Sequence, residues 1–181
     1  MRAVRDENAV PCLIVFLYLD YIDATMCQEI FMIAAMDKAR EGIRSGQTPF
    51  GACIVKGAEI IACEHNRVWE TTDITAHAEV TAIREACRKL GTVDLSGCTI
   101  YSTTEPCPMC FSAIHWARIG KIVFGTSIQD AADAGFNELA ISNQELKKNG
   151  CSHIQITAGF MRDENLELFR EFAARPGKKT Y

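Results

Sequence analysis

The sequence predicts an α/β chain, built as a three-layer α/β/α sandwich around one mixed five-stranded sheet. Three observations carry this. Helix-like and strand-like segments alternate along most of the chain, the first two strand-like runs are separated by only three residues, and neither a linker nor an internal repeat divides the whole. A connection that short forces the first two strands antiparallel, whereas strands separated by a helix favour parallel pairing through crossovers.

Residues 1–25 read differently from the remainder. The apolar run from Val10 to Leu19 follows Arg2 and Arg5. It is too short to span a bilayer and is not followed by a small-x-small cleavage site. The expected organisation is an N-terminal extension over 1–25, a product of an upstream start and outside the fold, followed by one domain over 26–181 with a polar C-terminal tail.

Within the domain, Ile30, Phe31, Ile33, Ala34, Met36, Ala39 and Ile43 recur at helical spacing over 27–45, with Gly46 as the stop. Strands over 50–55 and 59–66 flank the turn Lys56-Gly57-Ala58, and 67–75 is a polar loop. A helix over 75–90 offers Ala78, Val80, Ala82, Ile83, Ala86, Cys87 and Leu90 for burial. The third strand covers 97–103. Pro106 then leads into a helix over 107–118, since proline suits a first helical turn. A short apolar strand occupies 121–125. Ser142 and Glu145 form a capping box that opens a helix closed by Gly150. A fifth strand over 153–157 and an amphipathic helix over 163–174 complete the pattern.

Composition narrows the function classes. An apolar content of 48% and a charged content of 23% over 181 residues are those of an ordinary globular chain. A net charge of −4 weighs against a protein dominated by nucleic-acid phosphates, though it leaves room for a local basic patch. The nine cysteines are odd in number and irregularly spaced. Cys53, Cys63, Cys87 and Cys98 lie in apolar stretches, where a thiol is usually a small buried hydrophobe. The expectation is a reducing, cytoplasmic location, no disulfide framework and no membrane contact.

Two stretches stand out chemically: His77-Ala78-Glu79, and Pro106-Cys107-Pro108-Met109-Cys110. Cys107 and Cys110, three apart in a first helical turn, share one face, where free N–H groups lower a thiol's pKa. His77 opens the preceding helix, so two helix starts could meet and place one imidazole beside two thiolates. That set suits one Zn²⁺ ion with an open position for water, and Glu79 is the free carboxylate that could manage the proton. Each residue taken singly has a plainer reading: a redox or chance CxxC, a satisfied polar histidine, a first-turn glutamate favoured by the helix dipole. A structural zinc would want a fourth ligand, for which Cys87 and Cys98 are the nearby spares.

At Thr75-Ala76-His77-Ala78-Glu79 and Thr104-Glu105-Pro106-Cys107-Pro108-Met109-Cys110 the chain closely resembles the cytidine-deaminase-like superfamily. The H-x-E and P-C-x-x-C pair is the signature of zinc nucleobase deaminases. The resemblance runs from about residue 27 to the C-terminus. It implies hydrolytic deamination, with zinc on His77, Cys107 and Cys110 and with Glu79 shuttling protons.

Thr48-Pro49-Phe50-Gly51-Ala52, the stretch from His77 to Cys87, Ala113 to Arg118, and Asp130 to Glu138 resemble the bacterial guanine deaminase branch. That likeness implies that Glu138 reads the purine. It also implies that Tyr181 closes over a bound base in a domain-swapped homodimer. Asn66 matches an asparagine shared with the tRNA adenosine deaminase branch and implied to hydrogen-bond the base. Phe50 or Trp116 could wall the pocket, and either could equally be core. The expected reaction is a free purine base, guanine, going to xanthine and ammonia. The alternatives are tRNA adenosine-to-inosine conversion, deamination of guanosine or another nucleoside, and a zinc-stabilised interaction module without activity.

Overall fold

In a computed structural model of the chain, residues 12–181 are described, with side-chain surroundings given from residue 28 onward. Of the expected extension over 1–25, residues 1–11 lie outside these bounds and 12–25 fall within the first helix. The first helix, α1 (Cys12–Arg44), begins well before the expected start at residue 27. No proline, and no glycine before Gly42, interrupts that stretch.

The hairpin strands β1 (Gly51–Lys56) and β2 (Glu59–His65) follow, then the short helix α2 (Val68–Thr71) and α3 (Ala78–Leu90). Next come β3 (Cys98–Thr104), α4 (Pro108–Trp116), β4 (Lys121–Thr126) and α5 (Ile128–Asp133). The chain closes with α6 (Asn143–Asn149), β5 (Gln155–Thr157) and α7 (Arg162–Ala173). The strand order is β2-β1-β3-β4-β5. β1 is antiparallel to both neighbours, and β3, β4 and β5 run parallel. The expected mixed five-stranded sheet is therefore present.

Two helices were not foreseen. α2 replaces the expected loop because the Asn66 side chain accepts a hydrogen bond from the Val68 N–H at 3.1 Å and starts a turn. α5 is opened by a reciprocal capping box between Ser127 and Asp130, with aspartate in place of the usual glutamate or glutamine.

Alternate residues of the strands point to two different layers, as the two-residue strand period requires. On one face Ala52, Ile54, Ile100, Ile122 and Phe124 meet Ala78, Ala82 and Ala86 of α3 and Phe111 and Ile114 of α4. On the other, Cys53, Val55, Tyr101 and Val123 meet Met32, Ala35, Met36 and Ala39 of α1 and Leu168, Phe169 and Phe172 of α7. A bulge keeps both sets in register. Ile54 pairs with Ala62 and Val55 with Ile60, leaving Ile61 as the extra residue.

Because β1 is antiparallel to both β2 and β3, the ends of β2, β3 and β4 and the start of β1 all lie at one edge of the sheet. Phe50, Asn66 and the N-termini of α3, α4 and α5 are delivered to that edge. Ligands in open α/β sheets gather at the carboxyl ends of the strands for this reason.

Gly51, at that edge, lets α1 lie directly on β1. A Cβ there would stand 2.1 Å from the Ala35 carbonyl oxygen and 2.8 Å from the Ala39 nitrogen, both backbone atoms that cannot swing aside. Gly51→Ala should therefore cost about 3 kcal/mol or more, at or beyond the upper end of overpacking. A urea-unfolding midpoint close to that of the unaltered protein would contradict this.

Candidate metal centre and active site

His77 is the N-cap of α3 and Cys107 the N-cap of α4, both with extended dihedrals, and neither side chain caps its own helix. Both are free to aim at a shared point. Cys110, in the first turn of α4, reaches the same point. The His77 Nδ1 lies 3.7 Å from the Cys107 Sγ and 3.5 Å from the Cys110 Sγ. The three ligating atoms all fall within 4.8 Å of one another. A tetrahedral zinc with ordinary Zn–N and Zn–S lengths separates a nitrogen from a sulfur ligand by about 3.6 Å. The residues fit that ion. Neither Cys87 nor Cys98 belongs to this three-membered group among the described residues.

The electrostatics also suit a cation. The Cys107 thiol is lowered to about 4, chiefly by the hydrogen bond from Cys110 and also by His77, while its partner Cys110 is pushed up. Burial disfavours a charged His77. Its hydrogen bond to Cys107 and the charges of Glu79, Cys107 and Glu138 outweigh that and raise its pKa. The groups around His77 thus favour its cationic form.

Glu79 stands in the first turn of α3 and is only 6% exposed. The Ser102 hydroxyl on β3 donates to its Oε1 at 3.3 Å, and the Cys110 thiol to its Oε2 at 3.5 Å. Burial raises its pKa, which suits a group that must both take and return a proton. Although two positions from His77, its carboxylate reaches the ligand cluster because both residues lie at the helix start.

The expected base-binding residues converge, with one exception. Glu138 and Phe50 line a small cavity with His77, Glu79, Thr104, Glu105 and Cys107. Burial, together with the Cys107 and Glu79 charges, pushes Glu138 up to about 7. Phe50 packs edge-on against Phe136, with ring centroids 4.8 Å apart, so it serves both core and site wall. Asn66 is fully buried. The His65 ring holds its carbonyl at 2.7 Å, and its Nδ2 donates to the Tyr181 hydroxyl at 2.5 Å.

The tail therefore reaches its own chain's site. The Tyr181 ring lies 5.5 Å from that of His77, its carbonyl accepts from the Asn137 N–H, and Lys179 sits over Trp69. Beside it, a mouth of about 260 Å³ is lined by Ile74, Met109, Leu139, Glu138 and Tyr181 among others.

Trp116 is the exception. It is the last residue of α4, about 13 Å of helix away from the ligand end, and it is 81% exposed. It lines cavities with His115 instead, not the metal site of its own chain.

Glu105 is a positioning residue that sequence reasoning passed over. One carboxylate oxygen accepts from the Asn143 N–H at 2.7 Å and the other from the Ile128 N–H at 3.3 Å. A single anion thus joins the starts of α5 and α6 next to the metal loop. The Asn143 side chain adds a bond from its Nδ2 to the Pro106 carbonyl. An acidic residue immediately before the P-C-x-x-C stretch was the available signal.

The model of the cytidine and deoxycytidylate deaminase zinc-binding region matches residues 25–126. A guanine deaminase of Bacillus subtilis is 48% identical over 160 residues, which cover 86% of this chain and all of the relative. A tRNA-specific adenosine deaminase of Aquifex aeolicus is also 48% identical, over 99 residues covering 55% of this chain and 66% of the relative. A solved guanine deaminase of Nitrosomonas europaea superposes with a TM-score of 0.74 at 30% identity, covering 80% of this chain and 84% of that one.

The purified chain should carry one zinc ion per molecule by elemental analysis, and His77→Ala should lower zinc affinity by at least about 100-fold. Full metal content in that variant after dialysis against a chelator would refute the ligand assignment.

Proposed function

The chain belongs to the cytidine and deoxycytidylate deaminase zinc-binding family, and from that premise we propose that it is a zinc-dependent aminohydrolase that converts guanine to xanthine and ammonia. The observation that carries the choice of base is the half-buried Glu138, which shares a cavity with His77, Glu79 and Cys107. An ionised carboxylate only accepts hydrogen bonds. Guanine offers it a ring N–H and an amino group on one edge, whereas adenine presents a bare ring nitrogen there. Zinc, when bound, would supply the Lewis acidity that makes water nucleophilic near neutral pH, and its charge would offset the Cys107 charge that, after burial, raises Glu138.

The remaining work falls to this chain's residues. Glu79, oriented by the Ser102 hydroxyl on Oε1, takes the proton of the attacking water through Oε2, the oxygen that the Cys110 thiol would release on becoming a ligand. It then returns protons to the ring nitrogen and to the departing amine, so one carboxylate serves as base and acid in turn. Asn66 holds the base from just beyond β2, and Phe50 walls the cavity. Tyr181 closes the mouth and keeps bulk water out, which strengthens each polar contact inside.

Closure by the tail, and the carboxylate on the base edge, favour a free base over an adenosine in a tRNA loop, for which the chain's net charge of −4 also offers little attraction. The 48% identity of the central stretch to a tRNA-specific adenosine deaminase makes that nucleoside the necessary competitor in any assay. We further propose a homodimer, with the tail at its own site or exchanged between copies. The exposed apolar surface at Val93 and Trp116 supports such an association. No helix among the described residues is long and apolar enough to cross a membrane, and the many free thiols suit the reducing cytosol.

Ammonia release should be measured with guanine, guanosine, adenine, cytosine, cytidine and an adenosine-bearing tRNA stem-loop. Guanine should be the preferred substrate; conversion of the stem-loop with guanine untouched would overturn the reading. Glu79→Gln should retain zinc and lose at least about 1,000-fold in kcat, whereas an inactive interaction module would be indifferent to it. Glu138→Gln should lower kcat/KM for guanine by about 10- to 100-fold, mostly through KM, because the carboxylate's charge-assisted bonds are lost. Removing Tyr181 should raise KM or lower kcat, and unchanged kinetics would argue against closure by the tail.

A further inference from the structure

Cys53 of β1 and Cys63 of β2 are directly opposed in the antiparallel ladder. Opposed residues in such a ladder have Cα atoms about 4.5–5.5 Å apart, inside the range a disulfide spans, and their side chains leave the sheet on the same side. Both thiols face the layer formed by α1 and α7. They are near enough to interact directly, and both are free. The bulge at Ile61 begins one pair further along, and the added twist it gives this hairpin can help the Cβ atoms close from the usual ~4.5–5.5 Å of opposed residues to the ~3.8 Å of a disulfide.

The two sulfurs differ in access. Cys53 is completely buried, whereas Cys63 is partly exposed and within electrostatic reach of the Lys38 ammonium on α1. An oxidant in solution therefore meets Cys63 first, and a thiolate is the form that attacks it.

We propose that Cys53 and Cys63 are an oxidation site that closes reversibly into a cross-strand disulfide, with a low-molecular-weight disulfide of the glutathione type as oxidant. The Cys63 thiolate attacks one sulfur of the oxidant, forming a mixed disulfide and expelling one glutathione thiolate. The Cys53 thiol then gives up its proton and displaces the second glutathione thiolate from Cys63. Two protein thiols lose two electrons, and one small disulfide becomes two thiols. The bridge clamps the hairpin two residues from the Gly51–His65 pair, beyond which the strands continue into Phe50 and Asn66.

The test uses the zinc-loaded protein, so that Cys107 and Cys110 are occupied. Incubation with oxidised glutathione, followed by alkylation and peptide mapping without reduction, should yield a peptide pair joined through Cys53 and Cys63. That pair should be two hydrogen masses lighter than the separate peptides and should be reversed by dithiothreitol. Exposed Cys151 reports that oxidant reached the protein. In Cys53→Ser, Cys63 should halt as the glutathione mixed disulfide. If that variant folds poorly, Cys63→Ser should leave Cys53 unmodified. Amide exchange over β1 and β2 should slow by about tenfold in the oxidised protein. Both thiols remaining alkylatable while Cys151 is modified, or Cys63 halting as a mixed disulfide in the unaltered chain, would overturn the proposal.

Discussion

Two helix N-termini meet at one edge of a sheet, and the rest of the molecule depends on that meeting. An N-cap residue has extended dihedrals and a side chain that normally turns back to satisfy its own helix. At His77 and Cys107 that turn back does not occur. The imidazole and the thiol point at each other's helix instead, and the first-turn N–H groups they leave unused help to hold a thiolate. The distances that result, 3.5 and 3.7 Å, are those a tetrahedral zinc imposes on its ligands. The site is shaped by where the two helices begin.

Bringing two helix starts together requires that their strands end at the same edge of the sheet and that both helices lie close to it. The first condition is met by the antiparallel insertion of β1 between β2 and β3. The second is met by small residues. Ala78, Ala82 and Ala86 let α3 approach one face, and Gly51 lets α1 rest its backbone on β1 from the other. Both helices thus press the sheet edge where the chemistry sits. The Glu105 carboxylate then ties the starts of α5 and α6 to the same loop. Burial at this edge also raises the pKa of Glu79.

Much of this was legible in the sequence because it rests on local pattern. Short strand-like runs set off by turns and helices located the five strands, helical spacing found α3 and α7, and the capping box at Ser142 marked α6. The ligand set could be read because three donors and a carboxylate at those spacings have few other uses. Other features could not be read locally. α2 exists because Asn66 folds its amide onto the Val68 N–H, an outcome invisible to periodicity. The bulge at Ile61 puts two consecutive residues on one face, which strict alternation forbids. Trp116 looked like a pocket wall by its closeness in sequence to the cysteines, yet a helix carries its ends apart, and the indole lies far from the ligand end.

By itself, the sequence determined the chemistry: a histidine, two cysteines and a glutamate whose side chains have the right charges and donor atoms whatever surrounds them. The resemblance named Glu138 and Tyr181 as further candidates, but only the tertiary structure brought them to the same place. Glu138 lies in an irregular stretch between α5 and α6, and Tyr181 is the last residue of the chain. Neither has a spacing to betray it. They reach the site because Phe136 anchors in the aromatic core beside Phe50, and because the tail is held by Asn66, Trp69 and the Asn137 amide. Donor chemistry is a property of residues, whereas a pocket is a property of distances between segments far apart in the chain.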